Sequence, residues 1–152
     1  MSSNQQPPRR EHGHAGWCSL RLRFDARELE LLRASEKVRG TALSLHGRPD
    51  ALRSALRLAK AGHKIGHAQP GSSVSLDQGE LELLLEAVRF ATAEVHWAAS
   101  AGTKITEAAD ERRRQAVLDA FPELVERGLW RSFGLTRDLE ALAGRMHAAL
   151  TA

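Results

Sequence analysis

Basic side chains at helical spacing are the residues of this chain best placed to do chemistry. Arg53, Arg57, Lys60 and Lys64 follow one another at intervals of 4, 3 and 4, with Arg48 just upstream. On a helix such intervals gather side chains on one face. Between positions 48 and 64 five Lys or Arg stand against one acid, Asp50, a local charge of +4 that exceeds the +3 of the whole chain. A stripe of this kind can sit on phosphates, and five such contacts predict a salt-dependence slope near about −4.5 on duplex DNA. Tyrosine is absent and no base-reading motif accompanies the stripe, so a stacking platform for single strands is not indicated.

Other reactive types are scattered. His63 and His67, four apart, are the pair best spaced to share a metal ion, but Gly62, Gly66 and Pro70 make 62–72 read as a loop. Metal centres use three or four ligands, and neither Cys-x-x-Cys nor His-Glu-x-x-His occurs. Arg112, Arg113 and Arg114 spread around a helical turn, and Glu107, Asp110 and Glu111 lie at the right spacing to pair with them. Glu30 and Glu82 are carboxylates at matching positions of a repeated stretch and could meet if the repeats face each other. Nucleophile-elbow, phosphate-loop and dinucleotide glycine patterns are absent, and Ser19 beside Cys18 has no evident base. No catalytic residue and no cofactor is therefore assigned. Trp97, Trp130 and Phe133 are candidate interface anchors, since amphipathic aromatics at element ends serve as core plugs or as contacts.

The elements that position these residues are organised by the repeat. Residues 24–32 (FDARELELL) and 76–84 (LDQGELELL) agree at six of nine positions, at an offset of 52. In each copy Asp25 or Asp77 suits a helix N-cap, and Glu28 or Glu80 three residues later completes a capping box. Phe24 with Leu29, and Leu76 with Leu81, have the spacing of a hydrophobic staple. Upstream, Leu20, Leu22 and Phe24 alternate with Arg21 and Arg23, and Val74 and Leu76 alternate with Ser73 and Ser75. Alternation of this kind marks half-buried strands. The reading is a strand–helix module used twice, over 20–39 and 72–91, whose strands pair antiparallel about a pseudo-two-fold.

The expected fold is mainly α with a small β part: about five helices and two short strands. The helices are placed at 25–46 (with a short strand at 41–46 as the rival reading), 50–61, 77–101, 106–121 and 137–150, and Pro122 opens a short turn before Gly128. Leu52, Ala55, Leu56 and Ala59 are taken as the buried face of the second helix, Leu129, Trp130 and Phe133 as an apolar knot, and Thr136 as the cap of the last helix. Residues 1–16 read as a disordered tail, and 17–152 as one domain. That domain holds two pseudo-repeats (17–62 and 72–102) and a C-terminal helical segment (106–150).

One cysteine and the lack of an apolar run of membrane length suit a cytoplasmic protein with no membrane partner. Richness in Ala, Leu, Arg and Glu suggests a high-GC bacterial source. A two-stranded ribbon is marginal alone and could extend across a dimer, so a homodimer is an expectation. The function expected first is a non-catalytic interaction protein (adaptor, regulator or assembly subunit) that self-associates with an unknown protein partner. Nucleic-acid binding through 48–64 is the alternative, and a metal-dependent protein using His63 and His67 a third.

Overall fold

The computed structural model describes residues 19–101, 107–127 and 130–152. The expected tail at 1–16, Cys18, Gly128, Leu129 and the side chain of Trp130 lie outside the described residues. Within them two strands, β1 (Ser19–Arg23) and β2 (Ser73–Asp77), and six helices follow in the order β1, α1 (Ala26–His46), α2 (Pro49–Gly66), β2, α3 (Gln78–Ala101), α4 (Ala108–Ala120), α5 (Glu123–Arg127) and α6 (Trp130–Thr151). The fold is mainly α with one two-stranded antiparallel sheet.

Both repeated stretches begin helices as their sequences require. The Asp25 carboxylate accepts from the Glu28 N–H at 2.7 Å, and Glu28 Oε1 accepts from the Asp25 N–H at 2.9 Å. Asp77 and Glu80 repeat both bonds, at 2.7 and 3.0 Å. Each box satisfies backbone donors that the first turn would otherwise leave free.

The ribbon pairs Leu20 with Leu76, Leu22 with Val74 and Arg23 with Ser73. Leu22 and Val74 are separated by 52, the offset that aligns the two copies. A two-fold through that pair exchanges the Arg21–Ser75 pair with the Arg23–Ser73 pair. Leu20, Leu22, Val74 and Leu76 turn toward the helices, whereas Arg21, Arg23, Ser73 and Ser75 are exposed.

Beneath the ribbon, α1 packs on α2 and α3, and α3 on α6. Along α3, Leu81, Leu84, Leu85, Val88 and Val95 form a buried stripe, with Thr92 half-buried among them. Leu139, Leu142, Ala143 and Met146 of α6 are buried as well, so one continuous core joins N- and C-terminal helices.

Four expectations are corrected. Gly62 does not end α2, which runs on to Gly66. A Cβ at Gly62 would lie 2.7 Å from the Glu36 carboxyl carbon, so this glycine admits an α1 side chain instead of stopping a helix. The actual end is held by Arg33, which donates to the Ile65 and Ala68 carbonyls at 3.2 and 3.0 Å. The buried face of α2 is Leu58, Ala61 and Ile65, while Leu52, Leu56 and Ala59 are exposed. Two apolar spacings coexist on this helix, and the one that the longer α2 extends to Ile65 meets the core. Thr136 caps nothing: α6 already starts at Trp130, and the buried Thr136 hydroxyl donates back to the Ser132 carbonyl at 2.9 Å. Phe133 belongs to that helix and is 69% exposed, so it is not part of an apolar knot.

Candidate nucleic-acid interface

Arg53, Arg57, Lys60 and Lys64 all lie on α2 and are exposed, and Arg48 occupies its N-cap position without a side-chain cap bond. The buried stripe Leu58–Ala61–Ile65 faces the core, the exposed Leu52 and Leu56 lie opposite it, and Arg53, Arg57, Lys60 and Lys64 run along the flank between them. Lys64 is the exception in chemistry. Its Nζ donates to Glu80 Oε1 at 2.7 Å, pinning the C-terminal end of α2 to the first turn of α3. Glu80 is buried and already caps α3, so Lys64 is committed to the fold.

Arg57 has a different environment. A Cβ built on Gly79 would meet its Nη2 at 2.8 Å. The position matching Gly79 in the first copy is Arg27. Its guanidinium instead reaches Glu30 (2.8 Å), Glu123 (3.0 Å) and Asp138 (3.3 Å). One copy thus ties itself to α5 and α6, and the other leaves room for a cation from α2.

Ion pairing separates the basic residues. Arg27, Arg39, Lys64, Arg113, Arg131 and Arg145 each meet an acid within 3.3 Å. Among the described residues, Arg48, Arg53, Arg57 and Lys60 of the α2 segment, and Arg21 and Arg23 of β1, have no ion pair. Arg33, Lys37, Arg89, Arg112, Arg114 and Arg137 have none either; Lys37 and Arg112 line one groove between α1 and α4 together with Asp119, and Arg33 is engaged by backbone carbonyls. On α2 the free cations before Lys64 follow one another along one flank of the helix, and the two arginines of β1 share the open side of the ribbon. Sequence reasoning missed Arg21 and Arg23 as site residues, although their alternation with Leu20 and Leu22 already turned them outward.

The remaining candidates resolve into structural roles. Arg113 does not pair within α4. It makes a two-pronged contact with Glu94 of α3, at 2.7 and 2.8 Å, and its guanidinium lies 3.7 Å from the Trp97 ring centre. Glu94 is only 6% exposed, and its hydrogen bond to Arg113 holds that guanidinium in its charged form against the opposing effect of burial. Trp97 is therefore half-buried beneath an ion pair.

His63 and His67 stack with ring centres 4.3 Å apart, and His67 Nδ1 contacts the His63 carbonyl at 3.0 Å. Among the described residues no group of three or more His, Cys, Asp or Glu side chains converges. Glu30 and Glu82 do not form a pair. Each is held on its own helix, by Arg27 at 2.8 Å and Gln78 at 3.1 Å.

An open groove of about 430 Å³ between α1 and α4 is lined by Lys37, Thr41, Arg112, Gln115 and Asp119. An adjoining apolar recess of about 180 Å³ is bounded by Val38, Ala42, Leu45 and Phe90.

Comparison of the chain with protein-family models, with curated proteins and with solved structures finds no match. No helix among the described residues is long and apolar enough to cross a membrane. The functional reading therefore rests on the charge distribution and the surfaces that carry it.

Proposed function

We propose that this is a non-enzymatic nucleic-acid-binding protein whose α2 face contacts the phosphate backbone. The observation that supports the reading is the run of exposed cations on α2 without ion pairs among the described residues, namely Arg53, Arg57 and Lys60, with Arg48 at its N-cap. Free guanidinium and ammonium groups along one helix face gain most from a polyanion, because each phosphate neutralised releases condensed counterions. With Lys64 held by Glu80, four contacts remain, from Arg48, Arg53, Arg57 and Lys60. Log affinity for duplex DNA then falls with log salt at a slope of about −3.6. The test is fluorescence anisotropy of a labelled duplex between about 25 and about 200 mM salt, on the native chain and on the Arg53→Glu, Arg57→Glu, Lys60→Glu triple variant. Loss of binding in the variant is expected, and absence of binding by the native chain at low salt would remove the proposal.

A second reading, a self-associating interaction protein, is supported by the tip of the α1–α2 hairpin. Leu45 is 71% exposed at the end of α1, and Leu56 is 73% exposed beside Leu52 on α2. Leu52 and Leu56 are one turn apart on α2, and exposed apolar side chains that adjoin mark contact surfaces. Sedimentation velocity on the native chain and on Leu56→Glu tests it: a dimer dissociated by the substitution is expected, and a native monomer at about 100 μM sinks it.

A further inference from the structure

We infer that the β1–β2 ribbon enters the major groove of B-form DNA and reads a non-palindromic site, with Arg21 and Arg23 on base edges. This rests on the nucleic-acid reading and names the element that would give it sequence selectivity.

Dimensions come first. Paired strands lie about 4.8 Å apart, so a two-stranded ribbon with its side chains is about 10 Å across. The major groove is about 12 Å wide and admits such a ribbon. A ribbon of three or more strands would not fit, and this sheet has two. Its inner face is filled by Leu20, Leu22, Val74 and Leu76 packed on the helices. Among the described residues nothing covers the outer face, where Arg21, Arg23, Ser73 and Ser75 are exposed.

Chemistry comes next. Arg21 and Arg23 have no ion pair among the described residues, and an unpaired guanidinium on a ribbon offers two parallel donors to guanine O6 and N7. Two residues apart on a strand is about 6.6 Å, close to two base-pair rises of about 3.4 Å. Serine hydroxyls both donate and accept, so they tolerate several bases. Ser19 Oγ and Ser75 Oγ are 2.8 Å apart, linking the two strands on this face. Asp77, at the edge of the same face, is engaged in capping α3 and does not neutralise the arginines.

The register then decides the form of the site. The two-fold through Leu22 and Val74 relates Arg21 to Ser73 and Arg23 to Ser75. A ribbon with the same side chains in both halves would read a palindrome. Here both arginines lie on β1 and both serines on β2, so each half carries one arginine opposite one serine and the two-fold is broken between the strands. The recognised sequence carries a guanine in each half, both on the DNA strand that faces β1, and is weakly constrained on the strand that faces β2.

The experiment selects duplexes from a pool of about 20 base pairs with a randomised centre, using the full chain, and measures affinity by anisotropy. The native chain is expected to enrich an asymmetric sequence with guanines about two base pairs apart on one strand. Replacing those guanines with 7-deazaguanine, which removes only the major-groove N7 acceptor, should weaken native binding roughly tenfold or more. In the Arg21→Ala, Arg23→Ala variant the selected and scrambled duplexes should bind alike, and 7-deazaguanine should have no effect. Both side chains are exposed and unpaired, so an unchanged helical circular dichroism spectrum and melting midpoint confirm that the variant is folded.

The Arg53→Ala, Arg57→Ala, Lys60→Ala variant should weaken both duplexes equally, because phosphate contacts carry no sequence information. If the native chain binds duplexes without preference, enriches a palindrome, or is indifferent to 7-deazaguanine, the ribbon inference fails while the nucleic-acid reading stands. Tighter binding to duplex RNA, whose major groove is too deep and narrow for the ribbon, overturns it in the same way. No binding to any duplex at low salt removes both.

Discussion

Glu36 on α1 and Glu123 on α5 carry carboxyls whose proton affinities are displaced in opposite directions. Glu123 accepts from Arg27 and Arg131 at 3.3 and 2.9 Å. Burial works to raise its pKa, but the two guanidinium groups outweigh it and hold the carboxyl below its ordinary range. The folded state then binds fewer protons than the unfolded chain. The Glu123 contribution is complete above the unfolded carboxylate range and is lost as pH falls through the lower folded value. Glu36, resting on Gly62, has its pKa raised by burial, with only Lys37 opposing. Its contribution is complete below the unfolded value and is lost as pH rises through the raised one. Urea midpoints between about pH 3 and about pH 8 should therefore move oppositely in the two variants. Glu123→Gln should cost about 1 kcal/mol at neutral pH, discounted for partial solvent exposure, and weaken the acid dependence. Glu36→Gln should stabilise at neutral pH and not below the carboxylate range. Parallel pH profiles for the two variants would contradict this opposition of signs.

Helix ends and helix contacts are the features of individual elements. Asp25 and Asp77 cap α1 and α3 at opposite ends of the ribbon. Replacing either with alanine should cost about 1 kcal/mol, and because the sites are well separated the double variant should cost about the sum. Chemical denaturation reads this directly, and a marked departure from additivity would mean that the two caps communicate through the ribbon.

Gly62 provides the complementary case. Alanine there gains about 1 kcal/mol of helix propensity, but its Cβ displaces the Glu36 carboxyl. Gly62→Ala should help little alone and should recover the full gain when combined with Glu36→Ala. Equal effects in both backgrounds would mean that the α1–α2 contact does not select the glycine. The same two helices explain why sequence alone ends α2 too early. A glycine that permits a close approach and a glycine that ends a helix look alike until the neighbouring helix is in view.

For the whole molecule, α6 has the largest consequence. Leu135, Leu139, Leu142 and Met146 are fully or nearly fully buried, and α6 packs along α3. The Arg27–Glu123–Arg131–Asp138 cluster fastens α1 to α5 and α6 from the other side. A chain ended after Arg127 would expose that part of α3, and it should lose the cooperative thermal transition expected of the native chain. A retained sharp transition would show that the part before α6 folds independently. The proposed self-association and DNA binding also belong to this scale, since the first would use leucines of α1 and α2 and the second cations of α2 and β1.

Local patterns were decided by the residues themselves. Alternation set both strands, the Asp-x-x-Glu boxes set the starts of α1 and α3, and the apolar stripe of α3 set its buried face, because each depends on contacts within a few residues. The solvent side of the ribbon was legible for the same reason, since a strand turns alternate residues outward. Tertiary structure alone decided which of two apolar stripes on α2 would be buried, and that Thr136 lies inside a helix. It also drew Arg113 and Lys64 to distant acids and left Arg21, Arg23, Arg53, Arg57 and Lys60 without ion-pair partners. A side chain's periodicity is written in its neighbours along the chain, whereas its electrostatic partner is whatever the packed helices bring within a few ångströms.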